Sequence, residues 1–309
     1  TGQLLKTIDV TNATNVDWEE LAESDTHLFV GDFGNNSTGS RTDLKIYIIS
    51  KALLNDEDYQ QVEAQVINYT YPEQGTPVDT PLDTTPWDCE AMFWSEGKLH
   101  LFIKNWEDYS TAHYELPDTA GTYEAELMSS FDCEGLITAA DIQDGKVILL
   151  GYTAIGVNFM WFLWDYDDDF FDGNKRRMEL GFALTNGQTE GLSFSENLSG
   201  YVSSERFIFE DIINVPPKLF DFDVSDFVTA VREIKQDEIR FHPNPSKGLI
   251  SQNLPYGTVL TVYDTSGVEL DQLVVNSSIV DIEHLGVGVF VMRYLYEGSI
   301  HSVQVVVNE

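Results

Sequence analysis

Short apolar runs recur along most of the chain, and Gly, Asn, Asp and Pro separate them. This pattern is typical of β-strands joined by tight turns. Clear examples are residues 45–49, 147–151 and 159–164. Helical periodicity is faint and is confined to residues 50–59 and 224–234. The pattern therefore predicts an all-β protein.

A short polar phrase recurs four times, and each copy ends in a glutamate: Glu19, Glu90, Glu134 and Glu190. Each copy runs into small or apolar residues and is followed by a turn and a strongly apolar strand. Recurrence at tens of residues is typical of repeat architectures, and four strands per unit is typical of a propeller blade. Residues 1–236 are therefore predicted to form a β-propeller with four visible blades.

The pattern changes near residue 237. From there to residue 309 the strands are short and are separated by Gly turns. A segment of roughly 70 residues with this pattern suggests a small Ig-like β-sandwich. We therefore predict two domains, residues 1–236 and residues 237–309.

The chain is strongly acidic, with 52 Asp and Glu against 17 Lys and Arg and a formal charge of −35. Such a surface repels phosphate backbones and anionic headgroups, so nucleic acid and simple membrane adsorption are excluded as expected partners. No apolar run is long enough for a transmembrane segment. No basic-then-apolar leader opens the chain, and we expect a processed or truncated amino terminus.

The first strand of each propeller blade lines the central channel, so the four repeated glutamates are expected to converge. Two charges about 6 Å apart cost roughly 3 kcal/mol at an effective dielectric near 20. Compensation could come from Ca²⁺ or Mg²⁺, from shared protons, or from basic partners such as Lys104, Arg41 and Arg206. The first hypothesis is a ligand or metal site that holds a calcium ion and comprises Glu19, Glu90, Glu134, Glu190, Asp32 and Lys104.

The competing interpretation is structural: each glutamate accepts backbone N–H bonds and locks neighbouring blades together. Repeated positions usually have structural roles, so the pattern alone favours this second interpretation. The loop 31–36, which contains Asp32, could line the channel mouth or be a plain Gly/Asn turn.

The two cysteines, Cys89 and Cys133, occupy the same position in consecutive repeats. Stacked repeats would bring the thiols together, and an exported protein could oxidise them. A disulfide is therefore predicted in preference to two free buried thiols. A zinc site would need further Cys or His at short spacing, and none is present.

Enzyme motifs are missing from the sequence: there is no Gly-x-Ser-x-Gly elbow, His-Glu-x-x-His pair or phosphate loop. The six histidines show no metal spacing. The leading prediction is a binding module rather than an enzyme, with tryptophans in the segment 87–109 that could stack on sugar rings. The alternative is a Ca²⁺-dependent hydrolase of phosphoesters or lactones that acts in the channel.

The tail closely resembles the carboxy-terminal sorting domain of the type IX secretion system of Bacteroidetes. The matching segments are residues 242–248, 262–267 and 285–290, and the residues that carry the motif are Pro243, Asn244, Pro245, Gly248, Tyr263, Asp264, Gly267 and Gly288. The resemblance implies secretion or display on the outer cell surface. It also implies recognition by the outer-membrane translocon and its shuttle proteins, and often removal of the tail.

The front part is similar to propeller-type proteins that accompany such tails, through residues 15–19, 31–36, 43–47 and 135–138. Those relatives carry one further unit upstream, which agrees with a first strand at residues 4–10 that has no unit of its own. The resemblance therefore implies five blades in a complete chain. A glycan or a surface protein is the expected ligand, and no catalytic residues can be carried over.

Overall fold

The computed structural model describes residues 3–209, 213–229, 240–296 and 299–308. The protein is built almost wholly from β-strands and divides into two compact units, residues 1–226 and residues 227–309. The predicted boundary between residues 236 and 237 lies outside the described residues. The predicted all-β class is confirmed.

Short strands, most of them paired in antiparallel, make up the described part of the first unit, with one helix of four residues between them and a second helix that begins at its end. They are β1 (Thr7–Val10), β2 (Trp18–Glu23), β3 (His27–Asp32), β4 (Lys45–Ser50), β5 (Tyr59–Val62), β6 (Gln65–Thr70), β7 (Asp88–Ser95), β8 (Lys98–Lys104), β9 (Thr111–Pro117), β10 (Gly121–Glu124), β11 (Glu126–Phe131), β12 (Leu136–Gln143), β13 (Lys146–Tyr152), β14 (Val157–Trp164), β15 (Asn174–Phe182), α1 (Ala183–Asn186), β16 (Gln188–Phe194), β17 (Ser199–Glu205), β18 (Phe207–Phe209), β19 (Ile213–Val215), β20 (Lys218–Asp223) and α2 (Ser225–Thr229). Two 3₁₀ helices, Lys51–Leu53 and Pro72–Gln74, lie in the connections.

Local turn chemistry fixes the hairpins at the centre of this unit. Glu96 and Gly97 join β7 to β8, and Asp144 and Gly145 join β12 to β13. All four residues have positive φ, between 50° and 83°. A two-residue loop with both residues in this region matches the right-handed twist of the strands it joins.

The strands form four sheets in succession, and the first strand of each sheet contains the glutamate of the repeated phrase or, in the third sheet, follows the phrase. Their orders are β2-β3-β4-β6, β7-β8-β9-β11, β12-β13-β14-β15 and β16-β17-β20. The first strands pack side by side, β2 against β7, β7 against β12 and β12 against β16. Successive sheets whose first strands pack side by side are the arrangement expected of propeller blades.

The sequence pattern did not show two features of the first repeat: a fifth strand in its sheet and a separate two-stranded sheet. β10, which lies within the second repeat, pairs in parallel with β6 and joins the first sheet. β1 pairs in parallel with β5, so the strand without a unit of its own attaches to the edge of the first repeat. A fifth blade remains a prediction.

Hydrophobic side chains fill the spaces between successive sheets. Phe29 and Ile46 of the first sheet pack with Met92 and Leu101 of the second. A separate cluster joins the second and third sheets, with Phe102, Ile137, Leu149 and Phe159 among its members. Because each fully buried side chain of this size stabilises the fold by about 1.5–3 kcal/mol, these layers hold the first strands in a fixed arrangement.

The second unit consists of two sheets packed over one core. Its strands are β21 (Phe241–His242), β22 (Leu249–Gln252), β23 (Val259–Tyr263), β24 (Glu269–Val274), β25 (Ile279–Asp281), β26 (Gly288–Tyr296) and β27 (Ser299–Val307), with a 3₁₀ helix at Glu283–Leu285. The sheet orders are β21-β22-β25 and β24-β23-β26-β27. Ile250 and Val280 of one sheet share the core with Val262, Met292 and Val305 of the other. The unit is a small two-sheet sandwich, and its Ig-like character remains a prediction.

No helix in the described ranges is long and apolar enough to cross a bilayer.

Candidate functional site

Each of the four first strands contains a β-bulge near its start. The strand pairing skips one residue in each case, and the skipped residues are Glu19 in β2, Glu90 in β7, Thr138 in β12 and Glu190 in β16. A bulge bends a strand and redirects the side chain of its extra residue, and bulges are enriched beside functional sites. Three of the four predicted glutamates therefore occupy equivalent positions in the fold.

Glu134 does not belong to this set, and its predicted place in the channel is wrong. It is exposed, has a φ of 57°, and lies in the turn before β12. The bulge comes four residues later, at Thr138, which is 1% exposed and donates a hydrogen bond of 2.8 Å to the Thr189 carbonyl oxygen. The third repeat therefore places a neutral hydroxyl where the other three place a carboxyl group.

Lys104, the last residue of β8, lies among the three glutamates. Its Nζ is 2.6 Å from Glu90 Oε2, and both side chains are about 95% buried. The ammonium group also lies 4.9 Å from the ring centroid of Trp106 and 5.1 Å from that of Tyr152. Burial lowers the pKa of Lys104, but Glu90 and Glu190 outweigh burial and raise the pKa above its ordinary range. Lys104 is therefore the positive charge around which the carboxyl groups are arranged.

The pKa values of Glu19, Glu90 and Glu190 are all raised. Burial, with the nearby charges of Asp17 and Asp88, raises the pKa of Glu19 to about 8. Burial raises the pKa of Glu190 to about 7, although Lys104 opposes the shift. Burial also raises the pKa of Glu90, against the effect of Lys104. Lys104 and protons held by the carboxyl groups thus compensate the charge of the cluster.

A layer of fixed hydrogen bonds surrounds the cluster. Asp88 accepts bonds from the Asn35 backbone N–H at 2.6 Å and from Trp106 Nε1 at 2.9 Å. Asp32 Oδ1 lies 3.0 Å from Arg41 Nη2 and also accepts the Asp17 N–H at 3.0 Å. Asp32, predicted as a ligand residue, therefore uses this oxygen for internal bonds.

Close packing explains the glycine of this loop. A Cβ on Gly34 would collide with carboxylate oxygens of Glu19 and Asp17, so a larger residue here would displace these side chains from their places in the cluster. The loop 31–36 is buried through Asn35 and packs against the cluster. The polar residues of this loop therefore make internal contacts with the cluster.

The predicted disulfide is wrong. Cys89 and Cys133 are free buried thiols that belong to different hydrophobic clusters. Cys89 Sγ lies 3.7 Å from the Phe102 carbonyl oxygen, and Cys133 Sγ lies 3.1 Å from that of Gly135. Because Glu134 and Cys133 precede the third bulge by several residues, the two cysteines are not in equivalent positions.

A cavity of about 410 Å³ adjoins the Lys104 cluster. Its walls include the aromatic rings of Trp106, Tyr109 and Tyr152, the apolar side chain of Leu184 and the amide of Gln188. Trp106 and Tyr152 are the residues whose rings contact Lys104. A cavity of this size with apolar walls and a few polar groups has the features of a small-ligand site.

A second cavity, of about 1310 Å³, is lined by residues of all four first strands. Carboxyl groups dominate its polar lining, including Glu20 of β2 and Asp141 of β12. Burial raises the pKa of both residues. The cavity is therefore acidic, with Lys98 as a basic residue in its wall.

The sequence analysis missed a cluster of His100, His113 and Glu115 at this second cavity. His100 Nδ1 lies 2.9 Å from His113 Nε2 and 3.5 Å from Glu115 Oε1. Burial lowers the pKa of His100 to about 4 and that of His113 to about 3. Within the described ranges, this is the group of His, Cys, Asp and Glu side chains whose ligand atoms all lie within 4.8 Å of one another.

The predicted sorting-motif residues have defined places in the second unit. Asn244 links its loop to β27, because its Nδ2 donates to the Gln304 carbonyl oxygen at 2.7 Å and its Oδ1 accepts the Val306 N–H at 2.9 Å. Asp264 accepts the Ser266 and Val268 N–H groups at 2.9 Å in the turn after β23, where Gly267 has a φ of 88°. The remaining motif residues are Pro243, Pro245, Gly248, Tyr263 and Gly288, and Gly288 begins β26.

No family model matches the chain, and no curated protein matches it. Among solved structures, the chain is similar to PorZ, an essential surface component of the type IX secretion system of Porphyromonas gingivalis, with 10% identity over 97% of this chain and 61% of that chain and a TM-score of 0.35. It is also similar to a GH32 β-fructofuranosidase of Bombyx mori, with 10% identity over 92% and 66% of the two chains and a TM-score of 0.35. A third structure is apo AztD from Citrobacter koseri, with 11% identity over 96% and 77% and a TM-score of 0.35.

The chain therefore spans less than two thirds of the length of the first two. At these identities and TM-scores, the similarities say nothing about its ligand or activity.

Proposed function

We propose that this protein is an exported β-propeller binding module whose ligand occupies the cavity of about 410 Å³ beside the Lys104 cluster. The observation that carries the proposal is the position of this cavity. Trp106 and Tyr152 form part of its wall and also contact the buried Lys104. A ligand in this cavity would contact aromatic rings beside the charged groups of the Lys104 cluster. Small-molecule sites combine such apolar walls, which give affinity, with a few polar groups that fix the ligand's orientation.

The lining favours a hydroxylated ring such as a sugar. Trp106 and Tyr109 offer aromatic faces that can stack on the apolar face of a sugar ring. The Gln188 amide offers both a donor and an acceptor to hydroxyl groups. Trp87 and Trp94 do not line this cavity: Trp87 stacks on Tyr71 with ring centroids 5.7 Å apart, and Trp94 donates to Asp118 at 2.8 Å.

The test uses a variant that fills the cavity and a matched surface variant. Leu184 lines the cavity and is 47% exposed, whereas Leu53 is 53% exposed and lies outside it. A panel of soluble mono- and oligosaccharides is titrated into the protein while tryptophan fluorescence is recorded. We expect at least one sugar to change the fluorescence, Leu184→Arg to abolish the change and Leu53→Arg to preserve it. Equal responses in the two variants, or no response to any sugar, would contradict the proposal.

We propose further that residues 237–309 direct export through the type IX secretion machinery. The support is the sequence resemblance of this segment, together with the ordered hydrogen bonds that Asn244 and Asp264 make. The implied location is the outer cell surface or the medium, and the implied partners are the translocon and its shuttle proteins.

A Ca²⁺-dependent hydrolase is the second candidate. The observation that favours it is that Glu19 and Glu190 have pKa values raised to about 8 and about 7, as expected for groups that exchange protons near neutral pH. The contact between Lys104 and Glu90 already supplies a positive charge at this place. Turnover on a panel of phosphoesters and lactones that disappears on chelation and in Glu90→Gln would support this candidate over a pure binder.

A further inference from the structure

The cluster of His100, His113 and Glu115 arises from strand register. In the β8–β9 pair, His100 lies opposite Glu115 and Phe102 lies opposite His113. The two histidines are thus diagonal neighbours on one face of the sheet, where side chains in adjacent strands can touch. This cluster lies at the second cavity and is independent of the proposed sugar site.

Hydrogen bonding fixes the proton on the His100 ring. The ring bonds to the backbone of Ser95, and since Nδ1 faces His113 and Glu115, the bond to Ser95 belongs to Nε2. A backbone carbonyl oxygen accepts a hydrogen bond and donates none, so Nε2 carries the hydrogen and Nδ1 of the neutral ring keeps its lone pair.

Two electron-rich atoms then face each other. The Nδ1 lone pair of His100 lies 3.5 Å from Glu115 Oε1 and accepts a hydrogen bond from His113 Nε2 at 2.9 Å. A metal ion that binds both nitrogens therefore requires the His113 proton to move from Nε2 to Nδ1, which is buried without a hydrogen-bond partner. The other carboxylate oxygen, Oε2, is paired with Lys98 and is therefore held in place. A nitrogen lone pair beside a carboxylate oxygen is the arrangement that attracts a cation, and the paired Lys98 orients the carboxylate as a second layer of support.

We propose that His100 Nδ1, His113 Nε2 and Glu115 Oε1 bind a divalent transition metal ion, with Zn²⁺ as the expected occupant. Two histidines and one glutamate are a known ligand set for zinc sites that keep one position open. With bonds of about 2.0–2.1 Å and tetrahedral angles, ligand atoms lie about 3.4 Å apart. The His100–Glu115 distance of 3.5 Å meets this value, and the His100–His113 distance of 2.9 Å reaches it when the rings separate by a few tenths of an ångström.

The residues around the cluster determine how a metal ion reaches it and how tightly the ion binds. His100 and Glu115 line the cavity of about 1310 Å³, so the open position faces this space. The Phe170 ring packs 4.8 Å from that of His113 and 5.1 Å from that of His100, and it shields the ligands from the other side. His113 Nδ1 is buried and has no hydrogen-bond partner in the structure, so this ligand lacks outer support. Because such support contributes about 10–100-fold in affinity, we expect binding weaker than in a fully supported site by that factor.

The experiment uses the full chain, stripped of metal by dialysis against a chelator. Zn²⁺ is titrated by calorimetry at high salt, which suppresses weak binding to surface carboxylates. The expected result is one Zn²⁺ per chain. His113→Gln should weaken binding by about 100-fold or more, since a ligand contributes more than its outer support. His27→Gln is the control, because His27 lies in β3 and its Nδ1 bonds to Thr26 Oγ1 at 2.9 Å.

A second measurement needs no variant. X-ray absorption of the wild-type protein loaded with one equivalent of Zn²⁺ should show histidine nitrogen and oxygen neighbours at about 2.0–2.1 Å. A sulfur neighbour, an all-oxygen shell, or the absence of stoichiometric binding would overturn the proposal. Unchanged affinity in a folded His113→Gln protein would do so as well.

Discussion

At the scale of single residues, the charge balance of the Lys104 cluster depends on the lysine itself. Its ammonium group contacts Glu90 and also interacts with Glu190 and with the Tyr152 ring. A buried ion pair contributes little relative to an apolar pair of the same shape, but removal of one partner leaves an uncompensated charge. This asymmetry makes Lys104 a sensitive position in the first unit.

Lys104→Met should destabilise the protein by about 3–5 kcal/mol at pH 8, because Glu90 is left buried without its cation. The loss should be smaller at pH 5, where the carboxyl groups can take up a proton instead. Urea unfolding at both pH values measures the difference. Lys51→Met is the control: Lys51 lies 2.7 Å from Glu23, whose side chain is 70% exposed, and exposed pairs contribute at most about 1 kcal/mol. Equal losses in the two variants would contradict this assignment.

Glu19 predicts a pH dependence of stability with a definite sign. Burial raises its pKa to about 8 in the folded protein, from the ordinary value of 4.5 that we expect in the unfolded chain. Between these values the folded state binds more protons than the unfolded state, so its stability is complete below pH 4.5 and falls as the pH rises to about 8. One proton corresponds to at most about 1.4 kcal/mol per pH unit.

Glu19→Gln should flatten this decline, because glutamine remains neutral throughout. The free energy of unfolding, measured from pH 5 to pH 8, gives the slope for the wild type and the variant. Glu63→Gln, at an exposed position between β5 and β6, should leave the slope unchanged. If the wild type instead becomes more stable across this range, the protonated form of Glu19 is not the favoured one.

At the scale of elements, the β-bulges define the repeat better than the sequence phrase does. The phrase identifies Glu19, Glu90 and Glu190 because the bulge falls on its glutamate in those strands. In the third repeat the phrase, residues 132–134, lies before β12, and the bulge falls on Thr138. Strand register depends on pairing with β13, which a local phrase does not contain.

The hydrogen bond at the third bulge provides a matched test. Thr138 Oγ1 donates to the Thr189 carbonyl oxygen at 2.8 Å, whereas Thr111 is fully buried and its Oγ1 has no partner. Thr138→Val should cost about 1–3 kcal/mol, because a buried carbonyl loses its donor. Thr111→Val should be neutral or stabilising, since it removes a buried hydroxyl that bonds to nothing. Thermal or urea unfolding of the two variants measures the contrast, and similar losses would contradict the assigned bond.

Hairpin register also explains why the metal cluster escaped sequence analysis. His100 and His113 are 13 residues apart, which fits none of the short metal-ligand spacings. The β8–β9 pairing places them together, and this pairing depends on the length of the loop at residues 105–110. Alternation along β8 puts His100 on the same face of the sheet as Phe102, and the sequence predicts this. It does not predict that His113 of β9 is the neighbour of His100 on that face.

At the scale of the whole molecule, each unit has a core of its own. The clusters of the first unit are drawn from β2 to β14, and that of the second unit from β22 to β27. The change near residue 237 to short strands separated by Gly turns predicted two units, because strand length and turn spacing reflect the size of the sheets that the strands form. The exact boundary has no such marker, since apolar alternation is weak on both sides of residue 230.

The separate core of the second unit makes it a transferable element. A reporter protein that is delivered to the periplasm and fused to residues 237–309 should appear outside cells that contain a type IX secretion system, and should remain in the periplasm when the translocon is deleted. The same reporter fused to residues 1–236 is the control and should not be exported. The second unit should fold in the fusion because its core residues, Val262, Met292 and Val305 among them, come from within it. Fractionation and immunoblotting measure the distribution. Export of the control, or retention of the tail fusion in cells with an intact system, would show that the resemblance of the tail does not extend to its function.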